Sequence, residues 1–505
     1  MNDVTAEVRN NEHADTTVSP PLWLTLLLAA SAGGLGWGIR GQYGHETGAM
    51  IPGVLVALSL VFLYCPRATS LQAARAVALT ATAFSFGGSM TYGQTVGLTF
   101  DSEILGNWDA FWWGMLGLFL KGGIWIGFGG AFLGLALGGR RYRPLEFLSL
   151  LFGLVGLLFL GVYFFNRPFD PVDRVLPTLY FSDHWHWEPN KPDLRPRPER
   201  WGGLALALVG LIIYLWIKKD RLGRNMAFCG ILSGGFGFTI GQLVQTCERW
   251  NADMFTGPFA VVYNAGASVV GCFNDLTGGY LNKLNWWNTM ETVFGLVLGF
   301  GLGLGLWLNR RNVNANDSDP PVEFTPAQEV VLAIVHAAGL CVWNFMSVRH
   351  FDALADHALT MGFIPIVAIL GGRYWPYLLS LPLLAIPIAG KTLRMMSLET
   401  DQINMVPGWL FLIDLPMVVT LCSALYFAHH SRLGQSGRTF TRWTLVLATW
   451  LYFSLNFVFF GFPWPWEGIS GRASNNLIYI VCTVILTVTA LTYRRRSSAV
   501  PSSVR

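Results

Sequence analysis

The residues best equipped for chemistry stand where apolar runs end. The stretch 33–46, Gly-Gly-Leu-Gly-Trp-Gly-Ile-Arg-Gly-Gln-Tyr-Gly-His-Glu, closes a long apolar run. Arg40 offers a fixed fork of donors that matches a carboxylate or phosphate. Gln42 donates and accepts, which suits a hydroxyl or amide. His45 and Glu46 are an adjacent base and acid. A shortened Gly-Gly to Gly-Gln pattern returns at 87–94 and 234–242, so Gln94 and Gln242 close two further apolar runs. Glu248-Arg249 follows the last of these, and Arg349-His350-Phe351-Asp352 ends a later one.

These residues predict a mouth that binds anions or hydroxyls, built from Arg40, Gln42, His45, Glu46, Gln94, Gln242, Glu248, Arg249, Arg349 and His350. If the chain is an enzyme, His45 or His350 would be the general base, with Glu46 or Asp352 as its orienter or acid. Separate structural ion pairs are the competing reading. Glycine pairs also read two ways: a helix that unwinds around a ligand, or close helix packing.

A second set lies inside the apolar runs. Lys121, His336, Asp414 and Glu291 are ionisable where hydrocarbon is expected, which by default points to function. Lys121 is either a proton-coupling group or half of a helix-stapling pair, for example with Asp414. His184-Trp185-His186, read as extended chain, puts two imidazoles on one side, but two ligands do not make a metal site. No zinc spacing, phosphate loop or nucleophile elbow occurs, so no metal and no cofactor are assigned. Cys247 and Cys272 fall in one segment and would pair if it faces an oxidising compartment.

The elements that must position these groups are transmembrane helices. Of 505 residues, 52% are hydrophobic and 13% charged, against about 25% charged in soluble domains. Apolar runs recur from end to end, and spanning backbone must bond internally, so the fold class is all-α, a polytopic helical bundle. The runs give about fourteen helices: 21–39, 48–65, 71–93, 109–138, 145–165, 202–217, 225–246, 287–308, 325–346, 358–372, 374–390, 406–428, 443–462 and 475–493. Even-numbered helices end in short basic segments, among them Arg140-Arg141, Lys218-Lys219, Arg310-Arg311 and Arg494-Arg495-Arg496. The positive-inside rule then puts both termini in the cytoplasm of a plasma (inner) membrane protein.

The organisation expected is a cytoplasmic tail over 1–20, helices 1–8 over 21–308, a cytoplasmic linker over 309–324, helices 9–14 over 325–493 and a basic tail over 494–505. The first helix carries no cleavage signal and reads as retained. Residues 166–200 form a Pro-rich outer loop, and 258–281 a re-entrant or interfacial segment. Helices 3–4 and 7–8 share Gly-Gly, Gly-Gln, a Trp pair and a terminal Arg pair, which reads as a parallel internal repeat. On this topology the polar motifs and most tryptophans face outward. The net charge of +4 is explained by helix ends and implies no nucleic acid; the partners expected are the bilayer and a small solute or lipid-linked substrate. Two functions follow: a transporter of a small anionic or sugar-like solute, or a membrane-embedded transferase with an outer-leaflet site. The sequence does not decide whether the chain is an enzyme.

Overall fold

The computed structural model describes residues 19–43, 46–88, 90–191, 195–251, 285–314, 318–345, 362–383, 406, 410–460 and 476–493. Among them are sixteen α-helices and no strand. In chain order they are α1 (Leu22–Tyr43), α2 (Met50–Tyr64), α3 (Ser70–Phe86), α4 (Gly93–Phe100), α5 (Trp108–Leu137), α6 (Pro144–Phe165), α7 (His184–Trp187) and α8 (Trp201–Ile217). They continue with α9 (Arg221–Trp250), α10 (Trp286–Leu308), α11 (Pro326–Phe345), α12 (Ile364–Gly371), α13 (Trp375–Ser380), α14 (Leu415–Ser431), α15 (Gly437–Phe460) and α16 (Asn476–Thr492). Five of them (α1, α5, α6, α9 and α10) are long and apolar enough to cross a membrane, as expected of a helical membrane protein. On α6 and α8, Phe152, Phe159, Tyr163, Ile213 and Trp216 stay exposed, as an apolar face does when its solvent is hydrocarbon.

Small residues set how the long helices meet. On α1, Gly33 lies so close to α10 that a Cβ there would sit 2.1 Å from the Gly295 carbonyl oxygen. One turn back on α1 and one turn on along α10, Gly299 meets the Ala29 carbonyl at the same 2.1 Å. The register therefore runs antiparallel. On α5 and α9 the relation repeats: Gly122 against Gly234, Ile126 against Gly230, Gly130 against Met226. At each of these contacts at least one partner is glycine, so the backbones touch where two side chains would hold them apart. The packing reading of these glycines is the one the structure bears out.

This corrects the expectation that all three Gly-Gln segments are broken helix ends. Helix α1 runs unbroken through Gly33-Gly34 and on past Arg40, and α9 runs unbroken through Gly234 to Gln242. Of the three segments, the second differs: its described residues 87–88 and 90–92 are not helical and lie between α3 and the eight-residue α4. There a Cβ on Gly88 would lie 2.1 Å from the Trp125 ring.

Candidate functional site

Polar groups from five elements converge on α4, at the end of the bundle where α1 and α9 finish and α5, α8 and α10 begin. Tyr92, just before α4, meets Arg40 of α1 and Glu291 of α10. Arg40 Nη1 donates to Tyr92 Oη at 2.6 Å and to Glu291 Oε1 at 3.2 Å, and Tyr92 Oη donates to the same carboxylate at 3.1 Å. The guanidinium carbon lies 5.2–5.7 Å from the ring centroids of Trp125, Tyr92 and Trp37. Arg40 and Glu291 are both buried. Such a charge is tolerable only when paired and hydrogen-bonded, and the aromatic faces add cation–π attraction.

Thr95, within α4, meets the second ion pair. Lys121 Nζ donates to Thr95 Oγ1 at 2.7 Å and to Glu199 Oε1 at 2.6 Å. Glu199 also accepts from Ser182 Oγ at 2.8 Å and from the Phe181 backbone N–H at 3.0 Å. Both charged side chains are 1% exposed, so the Pro-rich segment dips into the bundle to bring Glu199 to Lys121. Asp414, offered as a stapling partner, is exposed before α14 and is not that partner. The pair reading for Lys121 named Asp414 as an example; the partner is instead a loop carboxylate, and the hydroxyl and backbone donors around Glu199 offset the cost of burying it.

Two of the three glutamines placed in the mouth, Gln94 and Gln242, are engaged with protein groups. Gln94 Nε2 donates to the Arg195 carbonyl at 2.8 Å, and its Oε1 accepts from the Arg197 N–H at 3.1 Å. Its amide thus pairs with a passing chain as a backbone group would. Gln242, fully buried on α9, donates to Thr99 Oγ1 at 2.7 Å, and Trp250 Nε1 donates to the Thr99 carbonyl at 2.9 Å. These bonds tie the far end of α4 to α9. Glu248 is half-buried and Arg249 exposed in the last turn of α9.

The outer turn of α4 carries a third cluster. His184 is buried, and its Nε2 lies 2.7 Å from the Gln94 carbonyl. Its Nδ1 faces the Glu188 carboxylate and lies 4.0 Å from Asp101 Oδ2. Lys191 Nζ donates to Glu188 Oε1 at 2.8 Å and reaches Glu103 Oε1 at 3.3 Å. Burial and then the charge of Glu188 push the Asp101 carboxyl up. Burial would raise Glu188 too, but hydrogen bonds from Lys191 and His184 outweigh it and hold the carboxyl low. The segment 183–188 is not extended. It forms the single turn α7, capped by Asp183 accepting from the His186 N–H, so His184 turns inward while His186 is exposed.

Sequence reasoning missed Glu199, Tyr92 and Asp101. Tyr92 stood inside a quoted motif, and His184 and Glu188 stood at helical i,i+4 spacing. Glu199 gave no signal in its polar loop. His336 is buried in α11 against the Trp375 ring, with both nitrogens lacking a hydrogen-bond partner among the described residues. Outside the described residues lie His45, Arg349, His350, Asp352 and Cys272, the side chains of Gln42 and Glu46, and the segment 258–281.

No protein-family model matches this chain, and neither a curated protein nor a solved structure matches it.

Proposed function

We propose that this chain is a fourteen-helix inner-membrane transporter of a small polar solute, anionic or sugar-like, with the α4 end facing outward and both termini in the cytoplasm. The observation that carries this reading is the break between α3 and α4 beside two buried ion pairs. At 1.5 Å per residue, Lys121 lies roughly 20 Å from the start of α5, near the middle of a bilayer. Irregular backbone and charge at that depth are tolerated where they line a solute site. Gly93, at the start of α4, is exposed with nothing within 4 Å of where a Cβ would stand, so the break is reachable. The parallel repeat of helices 3–4 and 7–8 belongs to the same proposal, with the break present in one copy only.

The second reading, an outer-leaflet transferase on a lipid-linked substrate, is favoured by the other half of α5. From Ile124 to Leu135 its side chains are apolar and buried, and a one-sided site needs no path through them.

Single cysteines on a cysteine-free background separate the two. Gly93→Cys, Leu118→Cys and Leu133→Cys would be probed with a membrane-impermeant maleimide from each face. Transport predicts Gly93→Cys labelled from outside, Leu133→Cys from inside and Leu118→Cys from both. Labelling confined to Gly93→Cys from outside would overturn transport in favour of the transferase.

A further inference from the structure

We propose that Asp101, His184 and Glu188 form a binding site for one divalent transition-metal ion, of the zinc or manganese class, at the outer edge of α4. It stands apart from the two ion pairs and does not depend on what the protein transports.

The argument starts with the imidazole. His184 Nε2 lies 2.7 Å from the Gln94 carbonyl oxygen, which can only accept, so Nε2 carries the proton. In the neutral ring Nδ1 is then a lone pair. That lone pair faces the Glu188 Oε2 and, at 4.0 Å, the Asp101 Oδ2. Three acceptors around one point need a cation among them: without an ion, a second proton on the ring, shared with Glu188, fills that place, and a metal ion would take it over. One ligand atom from each residue falls within 4.8 Å of the others, so a single ion with bonds of about 2.0–2.2 Å is reached by a small inward shift of the Asp101 carboxylate.

The surroundings fit an ion. One imidazole nitrogen with two carboxylate oxygens is an intermediate-to-hard donor set, suited to zinc or manganese. The Gln94 carbonyl fixes the tautomer and orients the ring, the usual outer-shell partner of a metal-bound histidine. Lys191 holds the other oxygen of Glu188 at 2.8 Å, which aims Oε2 inward. A Cβ on Gly97 would meet Asp101 Oδ2 at 2.9 Å and His184 Cε1 at 3.0 Å, so the bare backbone of α4 forms one wall. His184 and Glu188 are buried while the Asp101 side chain is 29% exposed. Asp101 therefore marks the entry side, where a water or solute group could complete the coordination.

The test uses the full-length chain in detergent, purified without a histidine tag and stripped with EDTA. Zn²⁺ and Mn²⁺ alone are titrated against a chromophoric chelator. One equivalent should bind to the wild type, and Asp101→Asn should weaken it at least tenfold while eluting as the same monodisperse species. His184→Gln should abolish binding; if that variant does not fold, Asp101→Asn still decides. No stoichiometric binding of either ion by the wild type would overturn the proposal. Unchanged affinity in Asp101→Asn would overturn it as well, because the ion would then sit elsewhere.

Discussion

The two ends of α5 are built on opposite principles. Toward its C-terminus, Gly122, Gly130 and Gly134 press against the α9 backbone, and there is no polar side chain for a solute to meet. Toward its N-terminus, Lys121 and the residues above it deal with α4, a short helix held by side chains from α1, α9, α10 and the dipping loop. The glycine-packed half has little slack, because at Gly122, Gly130 and Gly134 the nearest atom is backbone. The α4 half is held by hydrogen bonds and ion pairs, which can exchange partners without moving a helix. On the transport reading, the adjustable part is there and the rigid part is the glycine faces.

The largest effect expected is on the adjustable side. Glu199→Gln removes the carboxylate and leaves the buried Lys121 ammonium without a counter-charge. Breaking one partner of a buried pair costs about 3–5 kcal/mol. Thermal unfolding in detergent should show the Tm falling sharply. The double variant Lys121→Met with Glu199→Gln should recover most of the loss, because no charge is then stranded. A double variant no better than Glu199→Gln alone would mean the lysine is stabilised by something other than Glu199.

The rigid side comes next. Gly234→Ala places a methyl 2.1 Å from the Gly122 carbonyl oxygen, and neither backbone can turn away as a side chain would. Overpacking of this kind costs about 1–3 kcal/mol. Gly235→Ala, whose Cβ would meet only the Phe119 ring at 2.7 Å, should cost less, because a ring can pivot. Equal losses in the two variants would show that the helix contact is softer than its geometry implies.

Much of the rigid half was legible in the sequence, and little of the adjustable half was. The glycines at 122, 123, 127, 129, 130 and 134 announce a helix that another backbone can approach. The positions of the apolar runs likewise anticipate α1, α2, α5, α6, α8 and α10 to within a few residues at each end. Lys121 was visible as a charge out of place, but its partner was not. Glu199 sits among prolines and arginines, where a carboxylate carries no pattern. The Gly-Gly pairs at 87–88 and 234–235 look alike and behave differently. What separates them is tertiary: the Trp125 indole lies over Gly88, while the α5 backbone lies over Gly234. Asp101 joins His184 and Glu188 only because α4 carries it there, a relation no local spacing encodes.

A smaller loss is expected for Tyr92→Phe. The phenol accepts from Arg40 and donates to Glu291, yet those two also touch each other directly at 3.2 Å. Deleting the hydroxyl leaves the charges paired and the ring in place, so the cost should be near that of one hydrogen bond, about 0.5–1.5 kcal/mol. Glu291→Gln should cost more, since it removes the counter-charge of a buried arginine. If Tyr92→Phe matched Glu291→Gln in its Tm shift, the hydroxyl would be holding the pair together, and the Arg40 side would be as switchable as the Lys121 side.

The smallest effect should come from Gly93→Ala, and it is the sharpest measure of the contrast. Nothing stands within 4 Å of the added methyl, and Ala is the better helix former at the start of α4 by up to about 1 kcal/mol. The Tm should hold or rise slightly. A methyl at this open point beside the break would, however, narrow the approach to α4. On the transport reading, uptake should therefore fall in a variant whose stability does not, whereas Gly234→Ala should lose both together. If Gly93→Ala left labelling of a neighbouring Gln94→Cys from outside unchanged, the break would not be an entrance. The adjustable half of the molecule would then serve the fold alone.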